Sequence, residues 1–321
     1  MEKRHQESNH LTGAEQENST TFLTARHSKK GAGSEEYPGL TPEGVELVKE
    51  KTKKDILELI ENSEPGSVIV FGGATDLIRT KSTTRVSANE IKEVLAGREE
   101  EFLILDEADI NNLLTDEEKK SASTIIRISE IVAANPDKKI IITFPLAMSE
   151  MSMLEKTKGR FAGKPEWKSG GAKETRSPYL TEIMKRNNND EALVVMDWIR
   201  SNGEITSQDE QVLRGPNALE VAKGYVHSLQ RLEGVTKKMF SGRPLVIEIT
   251  AHSWEIDVMV DYLAHNGTVT PEGFEEIAKG TGDKPTIISE FEFSVIKIQD
   301  GKGTMTYRGK TYEFDPSLLN N

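Results

Sequence analysis

The amino-acid sequence predicts an α/β fold: a mostly parallel sheet flanked by helices on both faces, with a C-terminal β-hairpin. Between residues 20 and 144, short apolar runs typical of strands alternate with longer stretches of helical periodicity. This alternation is typical of parallel strands that are covered on both faces. Near the end, two further runs, 286–299 and 303–312, flank the turn sequence Asp300-Gly301-Lys302-Gly303, which predicts the hairpin.

The first half of the chain supplies most of the predicted sheet. A strand at 21–24 is followed by a helix at 41–62, which Thr41 can cap and in which Pro42 suits the first position. Glu64-Pro65-Gly66 ends that helix. Further elements are predicted in the order strand 67–71, helix 87–96, strand 101–105, helix 116–134 and strand 139–144.

The second half contains helices at 191–202, 216–232 and 253–265, and a strand at 245–250. Residues 1–19 are polar throughout and are predicted to form a disordered tail. One domain then covers residues 20–315. Within it, residues 149–190 interrupt the alternation and are rich in Lys and Gly, which predicts an insertion, either a solvated surface loop or an active-site lid.

Composition narrows the class of protein. The 321 residues carry a net charge of −12, which argues against a nucleic-acid partner, and the absence of cysteine excludes disulfides and a thiol nucleophile. No apolar segment of signal-peptide length or of about 20 residues occurs, so we expect a cytoplasmic protein without a membrane partner.

Two histidines stand at the carboxyl ends of predicted strands. His27 follows the run 21–24 after Ala25 and Arg26, and His252 ends the run 245–251. Ligands of open α/β sheets bind outside the carboxyl ends of the strands, where a histidine can serve as a nucleophile, a proton donor or a metal ligand. Arg26 beside His27 indicates that the ligand is an anion.

The block 22–48 extends this pattern. It places Arg26-His27 after a strand, then a Gly-rich loop, then Leu40-Thr41-Pro42-Glu43-Gly44 at a helix start. This order resembles the histidine phosphatase superfamily, which includes the cofactor-dependent phosphoglycerate mutases and typically carries Arg-His-Gly followed by Leu-Thr-x-x-Gly. Ser28 stands where the family has glycine, so the resemblance is to a divergent member.

Three further segments resemble the family in the same order. Arg79 follows the strand 67–71 and takes the place of the second phosphate-binding arginine, with Ser82-Thr83 near the family's Gln-Thr, although the preceding Ser-Pro is missing. Glu107 follows the strand 101–105 as in the family's Leu-x-Glu. The strand 245–251 ends in His252, and Ser253-Trp254 replaces the usual glycine. The resemblance covers residues 20–110 and 215–310.

The resemblance implies a phosphoryl transfer in which His27 is the nucleophile and forms a phosphohistidine. Arg26 and Arg79 would hold the phosphoryl oxygens, His252 would donate hydrogen bonds to the same group, and Glu107 would protonate the leaving group. No cofactor or metal is expected, and the partner is a small phosphorylated substrate. The sequence does not predict the oligomeric state.

Several alternatives stay open. The general acid could instead be one of three other carboxyls: Asp106, Asp109 or Glu255. Lys29 and Lys30 either steer phosphate or belong to a solvated loop. The leading function is a metal-independent phosphomonoester phosphatase. The rival functions are a phosphomutase of the same family, a catalytically weak phosphate-binding or regulatory module on the same fold, and a metal-dependent hydrolase.

Overall fold

The computed structural model describes residues 19–75, 77–106, 108–109, 112, 123–143, 146–147, 178–279 and 284–320, with only the backbone at 72–74, 123–125, 146–147 and 320. The predicted tail, apart from Ser19, lies outside the described residues. So do Glu107, residues 116–122 of a predicted helix and residues 149–177 of the predicted insertion.

Thirteen strands occur in the described part of the chain. They are β1 (Thr20–Arg26), β2 (Lys30–Gly33), β3 (Pro38–Leu40), β4 (Val68–Ala74), β5 (Phe102–Leu105), β6 (Lys139–Ile142), β7 (Leu146–Ala147), β8 (Glu204–Thr206), β9 (Val212–Arg214), β10 (Leu245–Ala251), β11 (Phe293–Gln299), β12 (Lys302–Tyr307) and β13 (Lys310–Phe314).

The same part of the chain contains nine α-helices and two other helical turns. The α-helices are α1 (Pro42–Lys51), α2 (Leu57–Asn62), α3 (Ile78–Val94), α4 (Ser123–Ala134), α5 (Pro178–Arg186), α6 (Glu191–Ser201), α7 (Ala218–Met239), α8 (Ser253–Ala264) and α9 (Pro271–Lys279). A π-helical turn (Thr52–Ile56) joins α1 to α2, and a 3₁₀ turn (Pro316–Asn320) follows β13.

A nine-stranded sheet forms the centre of the fold, in the order β13-β12-β11-β1-β10-β4-β6-β5, with β7 paired to the end of β4. The neighbouring pairs β1–β10, β10–β4, β4–β6 and β6–β5 are parallel. The pairs β1–β11, β11–β12 and β12–β13 are antiparallel. The predicted mostly parallel sheet is therefore confirmed. β2 with β3, and β8 with β9, form two separate small sheets.

Helices cover both faces of this sheet, as predicted. Alternate side chains of β1 point to opposite faces, so Phe22 packs with α5 to α9 while Leu23 and Ala25 pack with α1 to α3. Tyr179 and Leu180 of α5 are buried in the first of these clusters. The end of the predicted insertion, from residue 178 onward, thus contributes to the core.

The first helix begins as predicted, since the Thr41 hydroxyl accepts the backbone N–H of Gly44 at 3.0 Å. α3 differs, because it begins at Ile78 and not near residue 87. The run Thr80 to Thr84 has low helix propensity, and the prediction missed it for that reason. In the structure Thr83 Oγ1 donates to the carbonyl of Arg79 at 2.9 Å and accepts the N–H of Ser28 at 3.1 Å.

The C-terminal hairpin is present, with Asp300 and Gly301 as its two-residue turn, both at positive φ. Its first strand begins at Phe293 and not at residue 286, and β13 adds a third strand. The carbonyls of Thr286 and Ile287 accept hydrogen bonds from the Arg308 side chain, so this stretch is not part of the ladder. Within the described residues, no helix is long and apolar enough to cross a membrane.

Candidate active site

The carboxyl ends of three neighbouring strands carry the predicted site. β1 and β10 are paired in register with Arg26 opposite Ala251, so the two histidines that follow them are neighbours. The N–H of His27 donates to the Ala251 carbonyl at 2.9 Å, and the rings of His27 and His252 lie 5.2 Å apart between centroids. The strand register alone therefore brings the two histidines together.

The His27 ring is oriented by a hydrogen bond to the backbone of the next residue. Its Nδ1 lies 2.7 Å from the Ser28 carbonyl oxygen, which can only accept a hydrogen bond. Nδ1 therefore carries the proton, and Nε2 carries the lone pair. The side chain is half-buried at the edge of the sheet. This is the tautomer in which Nε2 can attack an electrophile.

Ser28, which replaces the expected glycine, is buried and turned toward α1. Its Oγ donates to the Gly44 carbonyl at 2.7 Å, and its N–H donates to Thr83 Oγ1. The hydroxyl thus ties the loop after β1 to the first turn of α1. This departure from the family pattern ties the loop down and does not direct the side chain toward the ligand.

His252 lies between β10 and α8 and is 5% exposed. Its Nδ1 is 3.3 Å from Nη2 of Arg79, and its Nε2 is 3.1 Å from Oγ1 of Thr75. A guanidinium only donates, so Nδ1 accepts from Arg79 and Nε2–H donates to Thr75. Burial first, and then the positive charges of Arg79 and Arg26, hold the pKa of His252 well below its usual range.

Thr75 was missed by sequence reasoning. It is fully buried and follows β4, where a register shift opposite Glu248 and Ile249 leaves Gly72 without a partner on β10. The hydroxyl of Thr80 donates to backbone carbonyls, so Thr75 donates to Thr80 Oγ1, at 2.9 Å, while it accepts from His252. The sequence signal that could have identified Thr75 is its spacing. In the histidine phosphatase superfamily, a Ser-Pro-x-x-Arg segment places a serine four residues before the second arginine, and Thr75 stands four residues before Arg79.

The two arginines reach the site differently. Arg79 projects from the first turn of α3 and is 7% exposed. The Arg26 guanidinium has two contacts within the protein. Its Nη1 donates to the Ile288 carbonyl at 2.9 Å, and its Nη2 lies 3.7 Å from the Glu191 carboxylate. Sequence reasoning had not singled out Glu191 or Ile288. The arginine that was predicted to bind phosphate therefore forms an ion pair with the Glu191 carboxylate.

A local positive field forms at this edge despite the net charge of −12. Arg26 and Arg79 lower the pKa of the buried His252 through their charge, and the His27 ring lies 5.2 Å from the His252 ring, so all four side chains converge. Lys29 and Lys30 follow on the exposed surface. Lys29 also lines a cavity of about 640 Å³ beside α1, and its role in steering phosphate stays a prediction.

The candidate acids lie in different places. Glu107 is outside the described residues. Asp106 forms an ion pair with Lys92 and accepts the N–H of Asp109 at 2.7 Å, and Lys92 holds the pKa of Asp106 below its usual range. Asp109 in turn accepts the N–H of Asp106 at 3.1 Å. Both aspartates lie at the end of β5, the edge strand, from which β6, β4 and β10 separate β1.

Glu255 lies in the first turn of α8, near His252, and is 1% exposed. Its charge contributes to the raised pKa of the fully buried Tyr225, so the two side chains are close. Ser253-Trp254 stands where the family has its glycine. The Trp254 ring packs on Trp198, with ring centroids 6.3 Å apart. In the described part of the chain, no group of three or more His, Cys, Asp or Glu side chains is arranged to hold a metal ion.

Comparison with known proteins gives weak structural likenesses. No family model matches the chain, and no curated protein matches it. Solved structures similar to it include a candidate alpha-ribazole-5'-P phosphatase from Escherichia coli (12% identity, 90% of this chain and 96% of that chain, TM-score 0.37). A mycobacterial glucosyl-3-phosphoglycerate phosphatase is 9% identical over 87% of this chain and 90% of that chain, with a TM-score of 0.36.

A mycobacterial hydrolase is 10% identical over 94% of this chain and 95% of that chain, with a TM-score of 0.39. Similarity this weak carries no argument about reaction or substrate. Those conclusions rest on the residues of this chain.

Proposed function

We propose that this protein is a phosphomonoester phosphatase that transfers the phosphoryl group first to Nε2 of His27 and then to water. The observation that carries the proposal is the hydrogen bond from His27 Nδ1–H to the Ser28 carbonyl. It leaves the lone pair of the ring on Nε2, and the ring centroid lies 5.2 Å from that of His252, which Arg79 contacts.

In the first step, Nε2 attacks phosphorus while the bond to the leaving oxygen breaks. The imidazole gains positive charge as it attacks, and the Ser28 carbonyl at 2.7 Å is placed to stabilise that charge through Nδ1–H. Arg26 and Arg79 neutralise the oxygens of the transferring group, because guanidinium groups donate to phosphate in bidentate fashion and stay protonated.

In the second step, water attacks the phosphohistidine, the N–P bond breaks and inorganic phosphate leaves. A carboxyl group that protonates the leaving oxygen in the first step takes the proton of the water in the second. Glu107 is our first candidate for this group, on the family resemblance. Glu255 is the second, because it lies within one helical turn of His252.

His252 has a supporting part in this proposal. Its Nε2–H is directed at Thr75, and its Nδ1 accepts from Arg79. Donation from His252 to a phosphoryl group requires one of these bonds to be exchanged. Its position still fixes Arg79, and a preoriented guanidinium stabilises developing charge without reorganisation.

One observation favours a second function, a phosphate-binding module with little or no turnover. Both ring nitrogens of His252 are bonded within the protein, and Arg26 faces the Glu191 carboxylate. A site in that state could bind an anion and yet turn it over slowly.

The experiment is hydrolysis of p-nitrophenyl phosphate and of glycerol phosphate by the purified chain, with and without a chelator. We expect hydrolysis that the chelator leaves unchanged and that His27→Ala removes. His227→Ala, an exposed histidine on α7, is the matched control. Phosphate binding without hydrolysis would favour the binding module, and loss with the chelator would favour a metal-dependent hydrolase.

A further inference from the structure

A buried carboxylate outside the proposed reaction is connected to Arg26. Asp257 on α8 is 1% exposed, and its two oxygens lie 3.2 and 3.3 Å from the N–H of Ile288. The hydroxyl of Tyr307 donates to the same carboxylate at 2.8 Å. The carbonyl of Ile288 in turn accepts from Nη1 of Arg26 at 2.9 Å. One residue, Ile288, is therefore bonded to Asp257 on its amide and to Arg26 on its carbonyl.

The segment that carries Ile288 also fixes the backbone of Arg26. The N–H of Phe291 donates to the Arg26 carbonyl at 3.0 Å, and the N–H of Arg26 donates to the Glu292 carbonyl at 3.4 Å. Residues 286–292 precede the strand β11, and at Ile288 the Asp257 side chain accepts the backbone N–H in place of a ladder partner. A change at Asp257 thus moves the acceptor of Arg26.

The charge of Asp257 is sensitive to pH near neutrality. Burial raises its pKa to about 7, against the opposing effects of Tyr307, Arg308, the Ile288 N–H and Arg26. Tyr307 faces Asp257 from β12, Arg308 from the turn after β12, the Ile288 N–H from the 286–292 segment and Arg26 from β1. In the ionised form Oδ1 accepts from both Ile288 and Tyr307 and Oδ2 also accepts from Ile288, whereas a proton on Oδ2 takes away the second acceptor of the Ile288 amide.

We propose that Asp257 is a positioning residue that acts through Ile288 to hold the Arg26 guanidinium where it binds a tetrahedral dianion, and that this hold loosens when Asp257 takes up a proton. The inference deepens the proposed function, on which the identity of the dianion rests. The contact from Asp257 to Arg26 through Ile288 stands apart from it.

The test compares Asp257→Asn with Asp261→Asn. Asp261 lies one turn later on α8, is also fully buried and also accepts a backbone N–H, that of Thr270 at 3.0 Å. It faces His265 and not Arg26. Both substitutions replace a buried carboxylate of the same helix by a neutral amide with one acceptor oxygen, so their effects on folding are comparable, and only the first changes the group that accepts the Ile288 N–H.

Sulfate is the probe, because its charge stays constant between pH 6 and 8, and calorimetry measures its affinity. We expect Asp257→Asn to weaken sulfate binding at pH 8 by about fivefold to thirtyfold, the effect of one misplaced charged hydrogen bond. The variant should also lose the part of the pH dependence that wild type shows below pH 7. Asp261→Asn should keep both. Equal behaviour of the two variants would overturn the proposal.

A second readout does not depend on the ligand. The Nε–Hε resonance of Arg26, assigned with Arg26→Lys, should shift in wild type with a midpoint near pH 7 and should not shift in Asp257→Asn. Tyr307→Phe removes a bond that lowers the pKa of Asp257, so its midpoint should move to higher pH. If wild type binds no sulfate and hydrolyses no ester, the proposed function fails, while a titrating Arg26 signal still supports the contact. A flat signal in wild type would contradict it.

Discussion

The Arg79 guanidinium donates a hydrogen bond to Nδ1 of His252 at 3.3 Å, and this contact decides which proton the histidine carries. Since Nδ1 must accept, the remaining proton is on Nε2 and is directed at Thr75. The start of α3 and the end of β10 are thereby joined. His252 is therefore neutral, and Arg79 carries the positive charge of this pair.

Thr75 gives the first prediction. Thr75→Val removes the hydroxyl that accepts from His252 and keeps the shape of the side chain, so His252 and Arg79 lose their fixed orientation. We expect kcat/KM for a phosphomonoester to fall about tenfold to a hundredfold, as for a buried donor left without its partner. Thr75→Ser keeps the hydroxyl, so its kcat/KM should stay close to that of wild type.

Thr52→Val is the control for that experiment. Thr52 is equally buried and donates to Ser87 Oγ at 3.0 Å, away from the site. Its loss should lower the melting temperature without a change in kcat/KM. Identical kinetic losses in the two variants would show that Thr75 contributes only to stability.

Glu191 gives the second prediction, with the opposite sign. Its carboxylate is 3.7 Å from Nη2 of Arg26 and 40% exposed, so it competes with phosphate for the guanidinium. Glu191→Gln should lower KM about twofold to fivefold, the size of effect expected of a partly exposed ion pair. Steady-state kinetics at low ionic strength measure it. Glu204→Gln, which breaks the exposed pair with Arg214, should leave KM unchanged; an unchanged or higher KM in Glu191→Gln would contradict the competition.

The general acid is tested with two leaving groups. Glu107→Gln should slow hydrolysis of an alkyl phosphate by roughly a hundredfold to ten-thousandfold. Hydrolysis of p-nitrophenyl phosphate should suffer much less, because its leaving group needs little protonation. If Glu107→Gln changes neither rate, Glu255→Gln is the next variant. Asp106→Asn should have little effect, since the ion pair with Lys92 keeps Asp106 ionised.

Glu248 predicts an unusual dependence of stability on pH. It is fully buried on β10, and burial raises its pKa to about 8, while the Thr250 hydroxyl bound to its Oε1 opposes the rise. The folded protein therefore holds a proton that the unfolded chain releases near its ordinary pKa of 4.5. The contribution of Glu248 to the free energy of unfolding is largest below that value and falls as pH rises toward 8.

Glu248→Gln should remove about one proton from this linkage. Between pH 5 and 7 the fall of the free energy of unfolding should become shallower by about 1.4 kcal/mol per pH unit. Part of the slope should remain, since burial also raises the pKa of Asp257 to about 7 and that of Asp261 to about 6. Urea unfolding at pH 5, 6 and 7 measures the slope, with the exposed Glu130→Gln as control. An unchanged slope in Glu248→Gln would mean that Glu248 is ionised in the fold.

The sequence predicts the centre of the site because strand ends are local features. His27 and His252 follow short apolar runs typical of buried strands, and parallel strands bring their carboxyl ends to one edge. Arg79 was predicted from the family resemblance, as the arginine that follows the second strand. The helix around it was missed, because a threonine-rich run favours other conformations until Ser28 and the backbone supply its partners.

The surroundings of Arg26 could not be predicted, since they depend on distant segments. Ile288 lies in a stretch whose sequence predicts a strand, whereas in the structure the Arg308 and Asp257 side chains bind its backbone groups outside the ladder. Glu191 resembles any acidic residue in a first helical turn. Such contacts follow from tertiary packing, which leaves no periodic signal in the sequence.

The central claim is a phosphoryl group bonded to Nε2 of His27, and rapid quenching tests it most directly. The chain is mixed with a phosphomonoester for milliseconds, stopped in alkali, digested and analysed by mass spectrometry. We predict a phosphoryl group on the peptide that contains His27, stable in alkali and lost in acid, and absent from His27→Asn. Steady hydrolysis with no phosphoryl group on His27 at any quench time, or with the group on another residue, would contradict the account.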